Sequence, residues 1–135
     1  MKISDAINAL TGDTTCVVIK NNEIKISTER GIKPLIVLLE EDKDALRESL
    51  IADKIIGRAA AFLAIYGGAA EVYGEVMTNE AMALLEKCGI KASRKIEAEH
   101  IINRRGDGIC PMEAATAEVS EADMAYKILR EKVLG

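Results

Sequence analysis

The sequence predicts an α/β fold, a three-layer α/β/α sandwich around a mixed sheet. Three observations carry that prediction. Two β-rich runs flank Asn21-Asn22 near the start. Helical and strand patterns then alternate to the end. The apolar content is almost wholly aliphatic: 49% of the 135 residues are hydrophobic, but only 3% are aromatic. A hairpin followed by alternating helices and strands gives a sheet of mixed direction with helices against it.

The elements read in order as follows. Ile3, Ala6, Ile7 and Leu10 recur at helical spacing, with Ser4 or Asp5 as the cap and Gly12 as the stop. Residues 14–20 are rich in β-branched side chains and predict a strand. Asn21-Asn22 tolerates the positive φ of a hairpin turn, and residues 23–27 alternate polar and apolar as the return strand. Gly31 breaks the pattern. Pro34 suits a first helical turn, and Leu35 to Glu41 continues as a helix. Its apolar run, Leu35 to Leu39, is expected to be buried, or to be a subunit interface where exposed. Residues 44–49 read as a short helical piece or an extension. Residues 50–52 read as a short buried strand entering a helix that opens on Asp53-Lys54 and ends at Gly67-Gly68. Residues 70–77 form a strand. Residues 78–88 form a helix with Thr78 as N-cap and Gly89 as C-cap. Residues 90–96 form a strand. After a loop rich in glycine and charge, residues 111–118 make a helical turn. Residues 120–123 start the last helix like a capping box, with Asp in the usual Glu/Gln place, and it runs to about Val133.

Length fits one domain spanning residues 1–135, large enough to bury a real core. A net charge of −4 and scarce aromatics argue against nucleic acid, which needs clustered cations and stacking platforms. Lys91, Arg94 and Lys95 are too small a basic group to reverse that. Nothing approaches a membrane span or a signal sequence, so a cytoplasmic location is expected. Cys16, Cys88 and Cys110 lack metal-type spacing and read as free thiols.

Two segments are unusual: Ala52-Asp-Lys-Ile-Ile-Gly-Arg-Ala-Ala-Ala61 and Ile101-Ile-Asn-Arg-Arg-Gly-Asp-Gly-Ile-Cys-Pro-Met-Glu113. In these stretches, and in its element order, the chain resembles an uncharacterised prokaryotic family of unknown function. That family has a cytidine-deaminase-like fold without the zinc site. Zinc deaminases place a His or Cys followed by Ala-Glu at one helix start and Pro-Cys-x-x-Cys at the next, with the metal between them. Here the two places fall near Asp53-Lys54-Ile55 and Met77-Thr78-Asn79-Glu80-Ala81. His100 is the only histidine, and Cys110-Pro111 has mirror order and no second cysteine. A tetrahedral zinc site wants three or four N/S ligands. Zinc-dependent deamination is therefore expected to be absent, with no metal and no cofactor.

What the resemblance leaves is a pair of helix starts at one sheet edge, whose unpaired N–H groups and partial positive charge suit an anion. Lys54 and Arg58 would add charge at i, i+4 spacing. Asp53 would cap its helix or bond a sugar hydroxyl, and Arg58 is also placed to pair with a glutamate. Gly57 would allow close helix–sheet packing. Thr78, Asn79 and Glu80 either cap the second helix or line the cleft. Asn103 and Arg104 precede a Gly106-Asp107-Gly108 turn. Adjacent arginines suit bidentate binding of phosphate or carboxylate, and equally a solvated, charged loop. Cys110 precedes a helix start, which would stabilise a thiolate, although a small buried cysteine is the ordinary role. Glu113 would cap its own helix or pair with Arg104.

Three functions follow, in order. The first is metal-independent binding of a nucleotide, nucleoside or other phosphorylated small molecule. The second is a metal-free enzyme using Asp53, Lys54 or Cys110. The third is an oligomeric interaction module. Catalytic residues are not assigned, and a homo-oligomer, a dimer first, fits all three.

Overall fold

A computed structural model describes residues 1–135. Helix α1 spans Ile3–Ala9, and strands β1 (Cys16–Lys20) and β2 (Glu23–Ser27) form the hairpin. Helix α2 covers Lys33–Glu41. Strand β3 (Leu50–Ile56), helix α3 (Arg58–Gly67), strand β4 (Glu71–Thr78), helix α4 (Asn79–Lys87) and strand β5 (Lys91–Ala98) then alternate. Short α5 (Pro111–Ala115) and long α6 (Ala122–Leu134) close the chain. The five strands form one mixed sheet in the order β2-β1-β3-β4-β5. β1 is antiparallel to both neighbours, and β3, β4 and β5 run parallel. No helix is long and apolar enough to cross a membrane.

Alternation on β1 divides the core between the sheet's faces. Cys16 and Val18 join the larger cluster with Leu35, Phe62, Leu85 and Leu129, so α2, α3, α4 and α6 cover that face. Val17 and Ile19 point the other way, into a small cluster with Ala6 and Ala52 beneath α1. The alanines of α3 are buried almost throughout, which lets the helix lie close against its neighbours. Stacked Tyr66 and Tyr126, with ring centroids 4.4 Å apart, tie α3 to α6. Glu40 ties α2 to α6: it accepts from the Tyr126 hydroxyl and pairs with Arg130 Nε at 2.7 Å. These partners, the tyrosine first, hold its carboxyl below the usual range.

Several local expectations need correction. β3 is longer than residues 50–52, and Asp53 and Lys54 belong to it, not to a helix start. A strand pairing on both sides outweighs the helical look of this segment: Asp53 faces Cys16 on β1 and Gly74 on β4. Lys54 and Arg58 therefore do not share a helical face. Residues 43–48 form turns rather than helix, and Glu48 takes a positive φ of 57°. At α1 the capping position is Lys2, whose N–H donates to the Asp5 carboxylate at 2.8 Å. At α6 it is Glu121, with no side-chain bond, so residues 120–123 form no capping box. The hairpin turn is as read, with φ of 52° at Asn21 and 65° at Asn22.

The parallel strands carry a bend. In a regular strand, residues three apart face opposite ways. Yet Asp53, paired with Cys16 on the side of the larger cluster, and Ile56, a member of that cluster, share a face, while Ile55 between them is exposed. On β5, Arg94 and Glu97 meet at 3.0 Å. The ladders skip Lys54, Glu75 and Lys95 together. Asp53 supports the bend by accepting the Ile55 N–H at 3.1 Å.

Candidate site at the α3 and α4 helix starts

β3 and β4 run parallel and in register to their ends, with Ile56 beside Met77. Each turns directly into a helix, so α3 and α4 start side by side at one sheet edge. Arg58, the first residue of α3, bridges them through an ion pair to Glu80 in the first turn of α4, at 2.9 Å. Its side chain is 16% exposed. Arg58 also donates to the carbonyls of Thr116, at 2.6 Å, and Val119, at 2.5 Å, and so binds the α5–α6 connection. Its guanidinium lies 5.2 Å from the centre of the Phe62 ring.

The α3 start is already engaged by an anion. Its N-cap residue is Gly57, which has no side chain to offer. Glu113, far along the chain in α5, supplies the cap. Its two carboxylate oxygens accept the N–H groups of Arg58 and Ala59, each at 2.7 Å. Gly57 is required by this contact, because a Cβ there would sit 2.2 Å from Glu113 Oε1 and 2.7 Å from Ile101 Cγ1. Glu113 thus caps α3, neither its own helix nor Arg104.

The α4 start is capped locally. Thr78 is buried, and its hydroxyl accepts the Ala81 N–H at 3.1 Å. Asn79 Oδ1 accepts from Arg94 at 2.9 Å, and Arg94 also reaches the Met77 carbonyl at 3.3 Å. Arg94 is a member of this edge that sequence reading assigned only to a minor basic group. The parallel pairing of β5 with β4, which sets Arg94 opposite Gly74, brings it to this edge, and spacing along the chain carries no signal of that pairing.

The remaining candidates fall into separate places. Asp53 is inside the sheet and only 7% exposed. Burial drives its carboxyl up to about 7, against the lowering effect of bonds from Ile55, the Cys16 thiol and Lys54. The Cys16 thiol is pushed up in turn, by burial first and then by Asp53. Lys54 sends its ammonium to the Gly12 carbonyl at 2.7 Å, away from the helix starts. In the loop, Asn103 Oδ1 accepts from Gly106, at 2.9 Å, and Asp107, at 3.2 Å, closing the turn. Arg104 is exposed and makes no intramolecular hydrogen bond or ion pair, while Arg105 meets Asp107 at 3.8 Å. Cys110 is half-buried at the N-cap of α5, and all three cysteines are free.

Arg58, Thr78, Asn79, Glu80 and Glu113 are therefore drawn together, while Asp53 and Lys54 are not. A groove of about 290 Å³ lies elsewhere, between the hairpin and α2, lined in part by Val18, Lys20, Lys25, Leu38 and Glu41. Its mixed charge and open walls single out no chemistry. The helix-start edge is filled by its own side chains.

No curated protein matches the chain. A solved structure does: the crystal structure, at 2.70 Å resolution, of a DUF1893 family protein (TM1506) from Thermotoga maritima. It superposes with a TM-score of 0.86 at 23% identity, covering 96% of this chain and 88% of that one, and at this identity the likeness speaks for the fold. The model of that family, described as TM1506: Domain of unknown function (DUF1893), matches residues 5–133. The chain belongs to the DUF1893 family, a domain of unknown function.

Proposed function

We propose that the protein binds a phosphorylated small molecule, of the nucleotide or nucleoside class, at the paired starts of α3 and α4 without a metal. One observation carries this reading: the first two amides of α3 already hold a carboxylate at 2.7 Å. Helix starts favour anions through their free N–H groups and partial positive charge. Glu113 is then an internal stand-in that a ligand phosphate displaces. Arg104, which makes no internal hydrogen bond or ion pair, lies on the loop that leads into α5 and is the further cation we assign to the ligand.

We read the architecture behind this site as a three-layer sandwich of the cytidine-deaminase kind. The support is α1 on one face, four helices on the other, and adjacent helix starts at the edge where zinc deaminases hold their metal. Those starts carry Gly57-Arg58-Ala59 and Thr78-Asn79-Glu80, which offer no histidine or cysteine. The same features support a metal-independent reading.

Thermal-shift and calorimetric titration with nucleoside mono-, di- and triphosphates tests the proposal. Wild type should be stabilised, since a ligand held at a hundred times its Kd adds about 2.7 kcal/mol. Glu113→Gln should bind more tightly, because the competing internal charge is gone, and Arg104→Ala more weakly. No stabilisation of either wild type or Glu113→Gln at millimolar ligand would end the proposal.

A further inference from the structure

The sheet has two edges, and they differ in how well they are protected. Edge strands expose unpaired backbone groups, and proteins usually blunt them with charges, bends or covering elements. β5 is blunted by the bend at Lys95 and by its four charges, Lys91, Arg94, Lys95 and Glu97. β2 has no such bend. It is five residues long, contains no proline or glycine, and is exposed along nearly its whole length.

The register says which β2 groups face outward. Lys20 and Glu23 flank a two-residue turn, so they form a hydrogen-bonded pair, as do Val18 and Lys25 one step on. The Ser27 carbonyl likewise accepts from Thr15 on the β1 side, at 2.8 Å. Glu23, Lys25 and Ser27 thus spend their backbone groups on β1. The amides and carbonyls of Ile24 and Ile26 point away from the sheet. Their side chains lie on the α1 face beside Ile19 and Val17, and are 42% and 57% exposed.

We propose that β2 pairs antiparallel with β2 of a second copy, joining the two sheets across a two-fold axis at Ile24. The charges select this register. With Ile24 opposite its twin, each Glu23 faces the Lys25 of the other copy in a non-hydrogen-bonded pair, where side chains approach closely. That gives two opposite-charge pairs on one face and an isoleucine pair on the other. Centring on Lys25 would set two ammonium groups against each other. The Ile24 backbones exchange two hydrogen bonds at the axis. This isologous geometry closes at two copies and leaves each β5 edge outside.

Sedimentation over a concentration series, with hydrogen exchange at the Ile24 and Ile26 amides, tests this. Wild type should dimerise as concentration rises, and the Ile24 amide should become protected in step, more than that of Ile26, which in this register lies beyond the paired stretch, opposite the turn. Ile24→Pro removes only an outward donor, which an edge strand tolerates, so it should fold and stay monomeric. Lys25→Glu and Glu23→Lys should each weaken the dimer roughly tenfold or more, because both cross-strand pairs become repulsive. An equimolar mixture of these two variants restores both attractions and should dimerise again. The charge pair decides the question even where the proline variant misfolds. A wild type that stays monomeric to ~1 mM, a range that would detect even very weak pairing, would overturn the proposal. So would a dimer indifferent to Ile24→Pro, or a mixture no more associated than its components.

Discussion

Removing Glu113 tests the tertiary cap directly. Glu113→Ala strips the α3 start of the acceptor for two amides, at 2.7 Å each, and Gly57 cannot replace it. Loss of an N-cap side chain costs about 1 kcal/mol, and up to about 2 in the severest cases. A negative charge on a partly buried helix start contributes up to ~2 kcal/mol more. These overlapping terms, on a half-buried glutamate, set the expected loss at roughly 2–3 kcal/mol. For a chain of this length that is a fall in Tm of about 6–12 °C. Urea unfolding followed by circular dichroism reads the loss as a shift in midpoint at constant slope. Gly57→Ala supplies the second axis of a double-mutant cycle. Its new Cβ would meet Glu113 Oε1 at 2.2 Å, so the single variant should lose about 1–3 kcal/mol by overpacking. In the Glu113→Ala background most of that clash is gone, although Ile101 remains close, at 2.7 Å. The two losses should therefore add to less than their sum by ~1 kcal/mol or more. A Glu113→Ala protein within about 0.5 kcal/mol of wild type, the range of an ordinary surface change, would refute the capping argument. Strict additivity with Gly57→Ala would do the same.

Other outcomes follow from neighbouring groups. Arg58→Ala should lose about 2–4 kcal/mol, and Arg58→Lys most of that, since one ammonium cannot serve Thr116, Val119 and Glu80 together; equal stability of Arg58→Lys and wild type in chemical denaturation would contradict this. The Asp53 carboxyl keeps its proton to about pH 7 in the folded chain but loses it near 3.8 when unfolded. The folded state therefore binds the extra proton, and stability declines as pH rises from about 4 to about 7, by ~4 kcal/mol at most. Asp53→Asn keeps an acceptor for the Ile55 amide and should flatten that part of the stability–pH curve, with its gain over wild type largest above pH 7. A gain largest at pH 4 would have the wrong sign. Arg104→Ala should leave unfolding unchanged to within about 0.5 kcal/mol, because the exposed side chain makes no hydrogen bond or ion pair; a clear drop in thermal melting would reveal a structural role.

Local signals read well where short-range physics decides the outcome. Paired asparagines at positive φ made the hairpin legible, and the threonine before Asn79 made the α4 cap legible. The boundary between β3 and α3 was not legible. Residues 53–56 carry charges beside an alanine-rich run, and that looks helical in isolation. Pairing with β1 and β4 overrides it. The candidate edge was legible in part: Arg58, Thr78, Asn79, Glu80 and Glu113 meet there, but through partners that spacing along the chain does not encode. Glu113 reaches an amide 55 residues away, and no periodicity reports such a contact.

The sequence by itself determined the kinds of elements, their order, an aliphatic core and the lack of zinc-type motifs, because composition, periodicity and turn chemistry act over a few residues. Only the tertiary structure decided that Asp53 is buried in a bent strand, that Glu113 sits on the α3 amides and that β2 is an edge strand of the sheet. Those outcomes depend on which strands pair and which side chains desolvate together. Pairing and desolvation are set by the whole packed chain.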